Sequence, residues 1–190
     1  MNYTLNEKYS SIEDLLNKFP NGTLVDLGCG YYKPNGYIGI DDMRGENTQI
    51  VNQSNLPDIF MDLNSEVLPF EDNSVNEIRS SHFLEHSNMR HILRESYRVL
   101  KPDGIFTAIV PYANSAEGLY PGHTLFLTEK WFNENIYFKE HFKIMAEKYY
   151  PSSTYKSLPF FIRLLIPFKY ARLFLFNACW QMELTCKVIK

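Results

Sequence analysis

The sequence predicts an α/β fold built on a doubly wound, mostly parallel sheet. Three observations lead to this prediction. Short apolar runs typical of buried strands alternate with helical or loop segments, the first run ends in a glycine-containing turn, and an acidic residue follows each of two later runs. The chain of 190 residues is long enough for a sizeable core, and we predict one domain over residues 1–190.

The individual elements follow from local patterns, taken in chain order. A helix is predicted over residues 11–19, where apolar side chains recur at i, i+3, i+4 and i+7 behind a serine cap. Further helices are predicted at 91–100, stopped by Lys-Pro-Asp-Gly, and near 128–138. Seven strands are predicted, at residues 23–27, 37–40, 59–61, 75–80, 105–110, 142–150 and 182–189.

The turn after the first strand is the first chemical signal. Gly28 and Gly30 flank Cys29, and two glycines let a ligand approach the backbone at the carboxyl end of a strand. Asp26 is an acid within an otherwise apolar strand, where an unpaired charge is costly. It suits a cationic or hydrogen-bond-donating ligand, or a donor network near one. A tight turn without a ligand explains this fragment equally well.

Two further acids favour a ligand site. Asp41 ends the second strand, eleven residues after Gly30, where a carboxylate is placed to hold two ribose hydroxyls. Asp62 follows the third strand, where it can accept from an exocyclic amine. Because the carboxyl ends of parallel strands meet at one edge, acids at three successive strand tips predict a binding site at that edge.

Four segments, VDLGCG, YIGID, FMDLNSEVLPFEDNSVNEIRSSHFLEH and ESYRVLKPDGIFTAIVP, resemble in this order the class I S-adenosylmethionine-dependent methyltransferases, over residues 24–111. The resemblance implies a Rossmann-like sheet of seven strands whose last strand is antiparallel. It implies S-adenosylmethionine as the cofactor and methyl transfer to a small-molecule, glycan or lipid-linked acceptor. It implies ribose contact by Asp41 and adenine contact by Asp62. The whole implied cofactor set is Asp26, Gly28, Cys29, Gly30, Asp41, Asp62, Leu63, Ser81 and His82.

The chain departs from this family after Gly30. The usual third glycine is absent, and the span to Asp41 is too short for the normal first helix. We predict that this helix is lost or reduced to a loop, with Tyr31 or Tyr32 covering the cofactor. The shortened segment resembles small methyltransferases associated with glycan biosynthesis. It argues against a nicotinamide-dependent sugar enzyme, whose pyrophosphate needs a helix N-terminus. That enzyme and a non-catalytic cofactor-binding or scaffold module remain the alternatives.

The histidines divide into two groups. His82 and His86 are four residues apart, and without a clear third ligand they predict no metal site. His123 lies in the loop after the fifth strand, and loops at this edge usually form the acceptor site. The candidates for acceptor contact or proton removal are His123, His86 and Tyr112. For His123 and His86, the alternative is a loop histidine that only makes a hydrogen bond.

Residues 151–181 form an unexpectedly long insert before the last strand. Seven of the 23 residues in 158–180 are aromatic, and the only charges there are Arg163, Lys169 and Arg172. Two prolines and three cations predict two short helices broken at Pro167 rather than a spanning helix. Three interpretations of the insert stay open: contact with a membrane surface that offers a lipid-linked acceptor, a homodimer interface, and a lid over the acceptor site. An extension of the core is the simplest alternative.

Charge and composition limit the partners and the compartment. Residues 1–150 carry 13 basic and 21 acidic side chains, a net charge of −8, whereas 151–190 carry six basic and one acidic, a net charge of +5. The total net charge of −3 gives the chain no positive electrostatic field that would attract nucleic acid. The polar start of the chain and three scattered cysteines predict a cytoplasmic protein, which is peripheral at the membrane if the insert contacts one.

Overall fold

A computed structural model describes residues 2–20, 22–44 and 56–190. It shows the predicted α/β fold, with one mixed sheet in the order β1-β4-β3-β2-β5-β6-β8-β7. The strands are β1 (Thr4–Leu5), β2 (Leu24–Leu27), β3 (Ile38–Asp41), β4 (Ile59–Phe60), β5 (Val75–Ser81), β6 (Leu100–Pro111), β7 (Phe142–Pro151) and β8 (Cys179–Val188).

All seven predicted strands are present, and five of them, β2 to β6, run parallel in the sheet centre. The last strand, β8, pairs antiparallel with both β6 and β7, as predicted. An eighth strand, β1, joins the edge antiparallel to β4. Two residues are too short a run to show an alternating pattern in the sequence, and their strand character comes from the partner.

The helices are short, and most begin where the sequence indicates. They are α1 (Ile12–Asn17), a 3-10 turn (Leu84–His86), α2 (Met89–Val99), α3 (Glu129–Glu134) and α4 (Ile136–His141). Ser11 caps α1 by accepting from the Asp14 amide at 3.0 Å. The helix predicted near 128–138 is divided into α3 and α4, because the Asn135 side chain caps a new helix by accepting from the Phe138 amide.

The first helix of the related fold is missing, as predicted. Within the described residues, turns and coil connect β2 to β3 over residues 28–37. Tyr32 is 79% exposed at this loop. That Tyr31 or Tyr32 covers a cofactor stays a prediction.

The insert contains α5 (Ser153–Lys156), α6 (Phe160–Leu165) and α7 (Phe168–Phe174). Pro167 caps α7, which confirms the predicted break. The insert leaves β7 and returns to β8 where Pro151 pairs with Cys179, beside the carboxyl end of β6. No helix in the described parts of the chain has both the length and the apolar character needed to cross a bilayer.

The core lies against the parallel strands. Side chains such as Val25, Ile38, Ile40, Ile78 and Phe106 are fully buried. Burial of each large apolar side chain contributes about 1.5–3 kcal/mol to folding. The central strands are thereby held rigidly, and the loops at their carboxyl ends start from fixed positions.

Candidate active site

The carboxyl ends of β2, β3, β4, β5 and β6 meet at one edge of the sheet, since these strands are parallel. The ends of these strands and the loops that follow them carry the predicted site residues. Ligands of open α/β sheets bind at this edge.

The loop after β2 is bound to the neighbouring strand. The amides of Gly28 and Cys29 donate to the Ile40 carbonyl at 2.9 and 3.3 Å. Gly28 has φ +68°, and a Cβ there would lie 2.2 Å from the Phe83 side chain. Gly30 has φ +50°, and a Cβ there would meet no atom within 4 Å. The loop therefore needs glycine at both positions, and at Gly30 it borders open space that a ligand can enter.

Asp41 lies at the end of β3 and organises the same loop. Its Oδ2 accepts from the Gly30 amide at 2.8 Å, and its Oδ1 accepts from the Met43 amide at 2.7 Å. Each carboxylate oxygen has a second lone pair. Asp41 can therefore fix the loop and still accept hydrogen bonds from two ribose hydroxyls.

Asp26 is buried in β2 with one oxygen paired. Arg79 of β5 donates to Oδ1 at 2.7 Å, whereas Oδ2 has no hydrogen-bond partner among the described residues. Burial raises the pKa of Asp26 to about 6, although Arg79 acts to lower it. A buried unpaired acceptor is costly. A donor such as the ammonium group of a bound methionine moiety would satisfy it, so this side chain fits the implied cofactor.

Asp62 lies in the turn after β4. Its Oδ1 accepts from the Asn64 amide at 2.9 Å, and its Oδ2 accepts from the Ser65 hydroxyl and lies 3.3 Å from the Arg44 guanidinium. These contacts, the Asn64 hydrogen bond foremost, hold the pKa of Asp62 below its usual range. The neighbouring Leu63 is buried in the core. Asp62 is therefore a charged acceptor at the expected strand tip.

The remaining implied cofactor residues lie on the flanks of this edge. Ser81 ends β5, and His82 follows it with φ +52°. The His82 ring stacks on Trp180 at 5.9 Å, and its Nε2 lies 3.0 Å from Gln181 Oε1, so the start of β8 holds it. Cys29 is buried, and burial raises the pKa of its thiol, which leaves it a small apolar side chain.

The structure brings His86 and His123 together, although they lie 37 positions apart in the sequence. Their rings lie 4.7 Å apart in an edge-to-face arrangement. Glu85, which sequence reasoning missed, is buried next to them, with Oε1 3.9 Å from His123 Nε2. Burial raises the pKa of Glu85 to about 7. The signal available in the sequence was the position of Glu85 between His82 and His86 in HFLEH.

Tyr112 is placed differently from the two histidines. Its hydroxyl donates to Glu129 Oε2 at 2.9 Å and accepts from Arg172 Nη1 at 3.2 Å. Burial raises the pKa of Tyr112 to about 12, with the Glu129 contact adding to the shift. A buried hydroxyl already committed to two partners is poorly suited to remove a proton. The network instead fastens α7 of the insert to the start of α3.

Residues 25–108 match the family described as "Methyltransferase domain". The uncharacterized protein MJ1252 of Methanocaldococcus jannaschii is 35% identical over 88 residues, which cover 44% of this chain and 34% of that protein. The matched segment thus spans about a third of this relative.

Solved structures resemble the fold over most of the chain. A structure described as a SAM-dependent methyltransferase from Archaeoglobus fulgidus has a TM-score of 0.62 at 14% identity, over 93% of this chain and 90% of that one. A chain in a complex between the Haloferax volcanii Trm112 methyltransferase activator and a methyltransferase has a TM-score of 0.53 at 19% identity, over 93% and 88%. At these identities the likeness shows the fold. These comparisons do not support the nicotinamide or scaffold alternatives, and the glycan-associated subtype stays a prediction. Residues 25–108 thus match a methyltransferase domain, and the described fold is that of solved S-adenosylmethionine-dependent methyltransferases, whose cofactor is S-adenosylmethionine.

Proposed function

We propose that this chain transfers a methyl group from S-adenosylmethionine to an acceptor held by the loops after β5 and β6. The observation that carries the proposal is the convergence at one sheet edge of an open glycine loop, the Asp41 carboxylate and a histidine pair. When bound, the cofactor supplies an electrophilic sulfonium methyl group. The residues of the chain bind it, orient it and prepare the acceptor.

The cofactor-binding groups act by position. Asp26 offers its unpaired Oδ2 to the ammonium group, Asp41 receives the ribose hydroxyls, and Asp62 receives the adenine amine. Since the methyl group is already activated, holding the acceptor atom in line and excluding water provide most of the rate.

The histidine pair serves the acceptor. His86 is exposed and His123 lies behind it, so an acceptor approaching this edge reaches His86 first. Where the acceptor atom is a hydroxyl, a neutral imidazole is a suitable general base near neutral pH. Where the acceptor nucleophile carries no proton to lose, the same pair only orients it.

Binding of S-adenosylhomocysteine, measured by isothermal titration calorimetry, tests the proposal. We expect saturable binding to the wild type and loss of at least tenfold in affinity for Asp41→Ala, because that change removes the ribose acceptor and frees the Gly30 loop; a tenfold change is about 1.4 kcal/mol. The matched control is Asp72→Ala, an exposed acid that pairs with Arg98. No binding to the wild type, or equal binding by the two variants, would contradict the proposal.

We further propose that the acceptor is presented at a membrane surface. The insert leaves large apolar side chains exposed, among them Phe160, Phe161, Leu165 and Phe174 at 62–78%. Residues 151–181 contain four basic and no acidic side chains. Exposed aromatic residues beside cations favour the interface of an anionic bilayer.

The position of the insert supports a lipid-linked acceptor over a lid. Both ends of the insert join the sheet beside the carboxyl end of β6, the edge that carries the candidate site. Arg172 fastens α7 to the domain through Glu129 and Tyr112, which opposes a freely closing lid. A membrane bound by the exposed face would therefore lie beside the acceptor loops.

Liposome flotation tests this second proposal. The wild type should float with vesicles containing phosphatidylserine and remain below with phosphatidylcholine alone, whereas Phe160/Phe161/Phe174→Ser should remain below with both. The control Ile136→Ser/Met145→Ser changes exposed apolar residues outside the insert and should float like the wild type. Failure of the wild type to float would overturn the membrane proposal. A dimer that the triple variant abolishes in light scattering would favour the subunit interface.

A further inference from the structure

Three side chains at the acceptor edge, Glu85, His86 and His123, form a compact group that we call the Glu-His cluster. One carboxylate oxygen and one ring nitrogen from each histidine lie within 4.8 Å of one another. Carboxylate oxygen and neutral imidazole nitrogen are common ligands of divalent transition metals.

Glu85 is the member that needs explanation. Its side chain is only 2% exposed, and neither carboxylate oxygen has a hydrogen-bond partner among the described residues. The nearest ring nitrogens, His82 Nδ1 and His123 Nε2, lie 3.7 and 3.9 Å from Oε1, beyond hydrogen-bonding distance. A buried carboxylate without a donor is strongly disfavoured, and a cation in contact with it would remove the cost.

The histidines face Glu85 without offering it a proton. His123 Nδ1 donates to the Gly118 carbonyl at 3.2 Å, and His86 Nδ1 donates to the Gly122 carbonyl at 2.9 Å. In a neutral ring the other nitrogen, Nε2, then carries a lone pair. A hydrogen bond from one ring nitrogen to a backbone carbonyl is also the usual support of a metal-binding histidine, since it fixes the ring orientation.

We propose that the Glu-His cluster binds a divalent transition-metal ion of the zinc class, with Glu85, His86 and His123 as its protein ligands. Three protein ligands with an open fourth position are typical of zinc sites that also bind water or substrate. The pair of His82 and His86 in the sequence predicted no metal for want of a third ligand. The tertiary structure supplies one from a loop 37 residues downstream of His86.

The backbone around the cluster is already arranged. The Glu85 carbonyl accepts from the Thr124 amide at 2.9 Å, from its hydroxyl at 3.0 Å and from the Leu125 amide at 3.1 Å. These bonds dock the loop that carries His123 onto the 3-10 turn that carries Glu85 and His86. The cluster therefore does not depend on a long flexible side chain to come together.

The required contraction is small. Ligands about 2.1 Å from a tetrahedral ion lie about 3.4 Å from each other. The 3.9 Å between Glu85 Oε1 and His123 Nε2 exceeds this ligand–ligand distance by less than about an ångström. The 4.8 Å limit for the three ligand atoms exceeds it by somewhat more than about an ångström.

A consequence for catalysis rests on the proposed function. His86 is exposed, so the open position of the ion would face the acceptor loops. A zinc-class ion lowers the pKa of a bound hydroxyl and holds the oxygen in place. An acceptor hydroxyl bound there would release its proton to solvent and become a better nucleophile, and the ion would take the place of the imidazole base, because both histidine lone pairs would be used as ligands.

Zinc binding to the full-length protein tests the proposal without cofactor or acceptor. Protein freed of metal with EDTA and exchanged into chelator-free buffer is titrated with ZnCl2 in a calorimeter, and CoCl2 is added to a second sample to record visible absorption. The variants are Glu85→Gln, which is isosteric and removes the unpaired charge, and His123→Asn. The control is His91→Asn, a histidine of α2 that is hydrogen-bonded to the Glu66 carbonyl. Circular dichroism confirms that each variant is folded.

We expect one zinc ion per chain for the wild type and the control, and at least about 100-fold weaker binding for both cluster variants, more than residues that only orient a ligand usually cause. The cobalt protein should show the intense visible bands of a four-coordinate site, and the cluster variants should lose them. Absence of stoichiometric binding to the wild type would overturn the proposal, as would equally tight binding by Glu85→Gln; in either case Glu85 holds only a proton. Binding of S-adenosylhomocysteine is measured separately. Failure of zinc binding therefore leaves the proposed methyl transfer standing, and failure of S-adenosylhomocysteine binding leaves the proposed zinc site standing.

Discussion

Alanine substitutions at Gly28, Gly30 and Gly36 separate backbone strain from cofactor binding. All three glycines have positive φ, at +68°, +50° and +85°. Their surroundings differ, because a Cβ at Gly28 would lie 2.2 Å from the Phe83 side chain, whereas at Gly30 and Gly36 it would meet no atom within 4 Å. Gly36 lies at the other end of the same β2–β3 connection, next to the amino end of β3, and serves as the control.

The expected losses in stability follow from this geometry. A left-handed conformation costs a residue with a Cβ about 1–2 kcal/mol, so Gly30→Ala and Gly36→Ala should each lose about that much free energy of unfolding. Gly28→Ala has the same backbone strain, and its Cβ also displaces the Phe83 side chain at Cβ and Cγ. Overpacking of this kind adds about 1–3 kcal/mol, for a total of about 2–5 kcal/mol.

Urea unfolding and calorimetric titration with S-adenosylhomocysteine measure the two effects. Gly30→Ala should lose at least about tenfold in affinity, because its Cβ enters the open space where the ligand approaches the loop, while Gly36→Ala should bind like the wild type. The reasoning would be refuted if Gly30→Ala bound as tightly as Gly36→Ala. It would also be refuted if Gly28→Ala were no less stable than Gly36→Ala.

Three further predictions concern buried groups around the site. Arg172→Met leaves Glu129 without its ion-pair partner and removes the guanidinium that lies 3.8 Å over Tyr149, so urea unfolding should show a loss of about 2–4 kcal/mol. The exposed pair broken by Lys130→Met should cost less than about 1 kcal/mol, and equal losses would contradict the assigned network. Because burial raises the pKa of Asp26 to about 6, the carboxylate forms as pH rises through that value. Affinity for S-adenosylhomocysteine should therefore increase from about pH 5 to about pH 7 in calorimetry and become flat in Asp26→Asn; a flat wild-type profile would remove Asp26 from the ammonium contact. Three free cysteines are buried, namely Cys29, Cys179 and Cys186. A thiol reagent should label them slowly in the native protein and rapidly in urea, and rapid labelling of the native protein would contradict their burial.

Much of the fold was predictable because its signals are local. Short apolar runs located the seven main strands, and the eleven-residue span from Gly30 to Asp41 left no room for a helix. Pro167 located the break in the insert. Each inference needs only the nearby sequence, since strand periodicity, proline geometry and chain length act over a few residues.

The candidate site was predictable only in part. Acids at strand tips could be placed at one edge because parallel strands share the direction of their carboxyl ends. The partner of each acid could not be placed, because Arg79 meets Asp26 across a strand pair and His123 meets Glu85 across 38 residues. These contacts depend on the register of the sheet and on how a loop docks.

Charge in the insert shows the same division. The sequence by itself determined that Lys169 and Arg172 lie three apart on a short helix after Pro167, because helix periodicity and the proline are local properties. Only the tertiary structure decided their roles: Lys169 lies over Tyr170 at the surface, whereas Arg172 is paired with Glu129. The physical reason is that the cost of burying a charge, and the partner that offsets it, depend on which elements pack together across the fold.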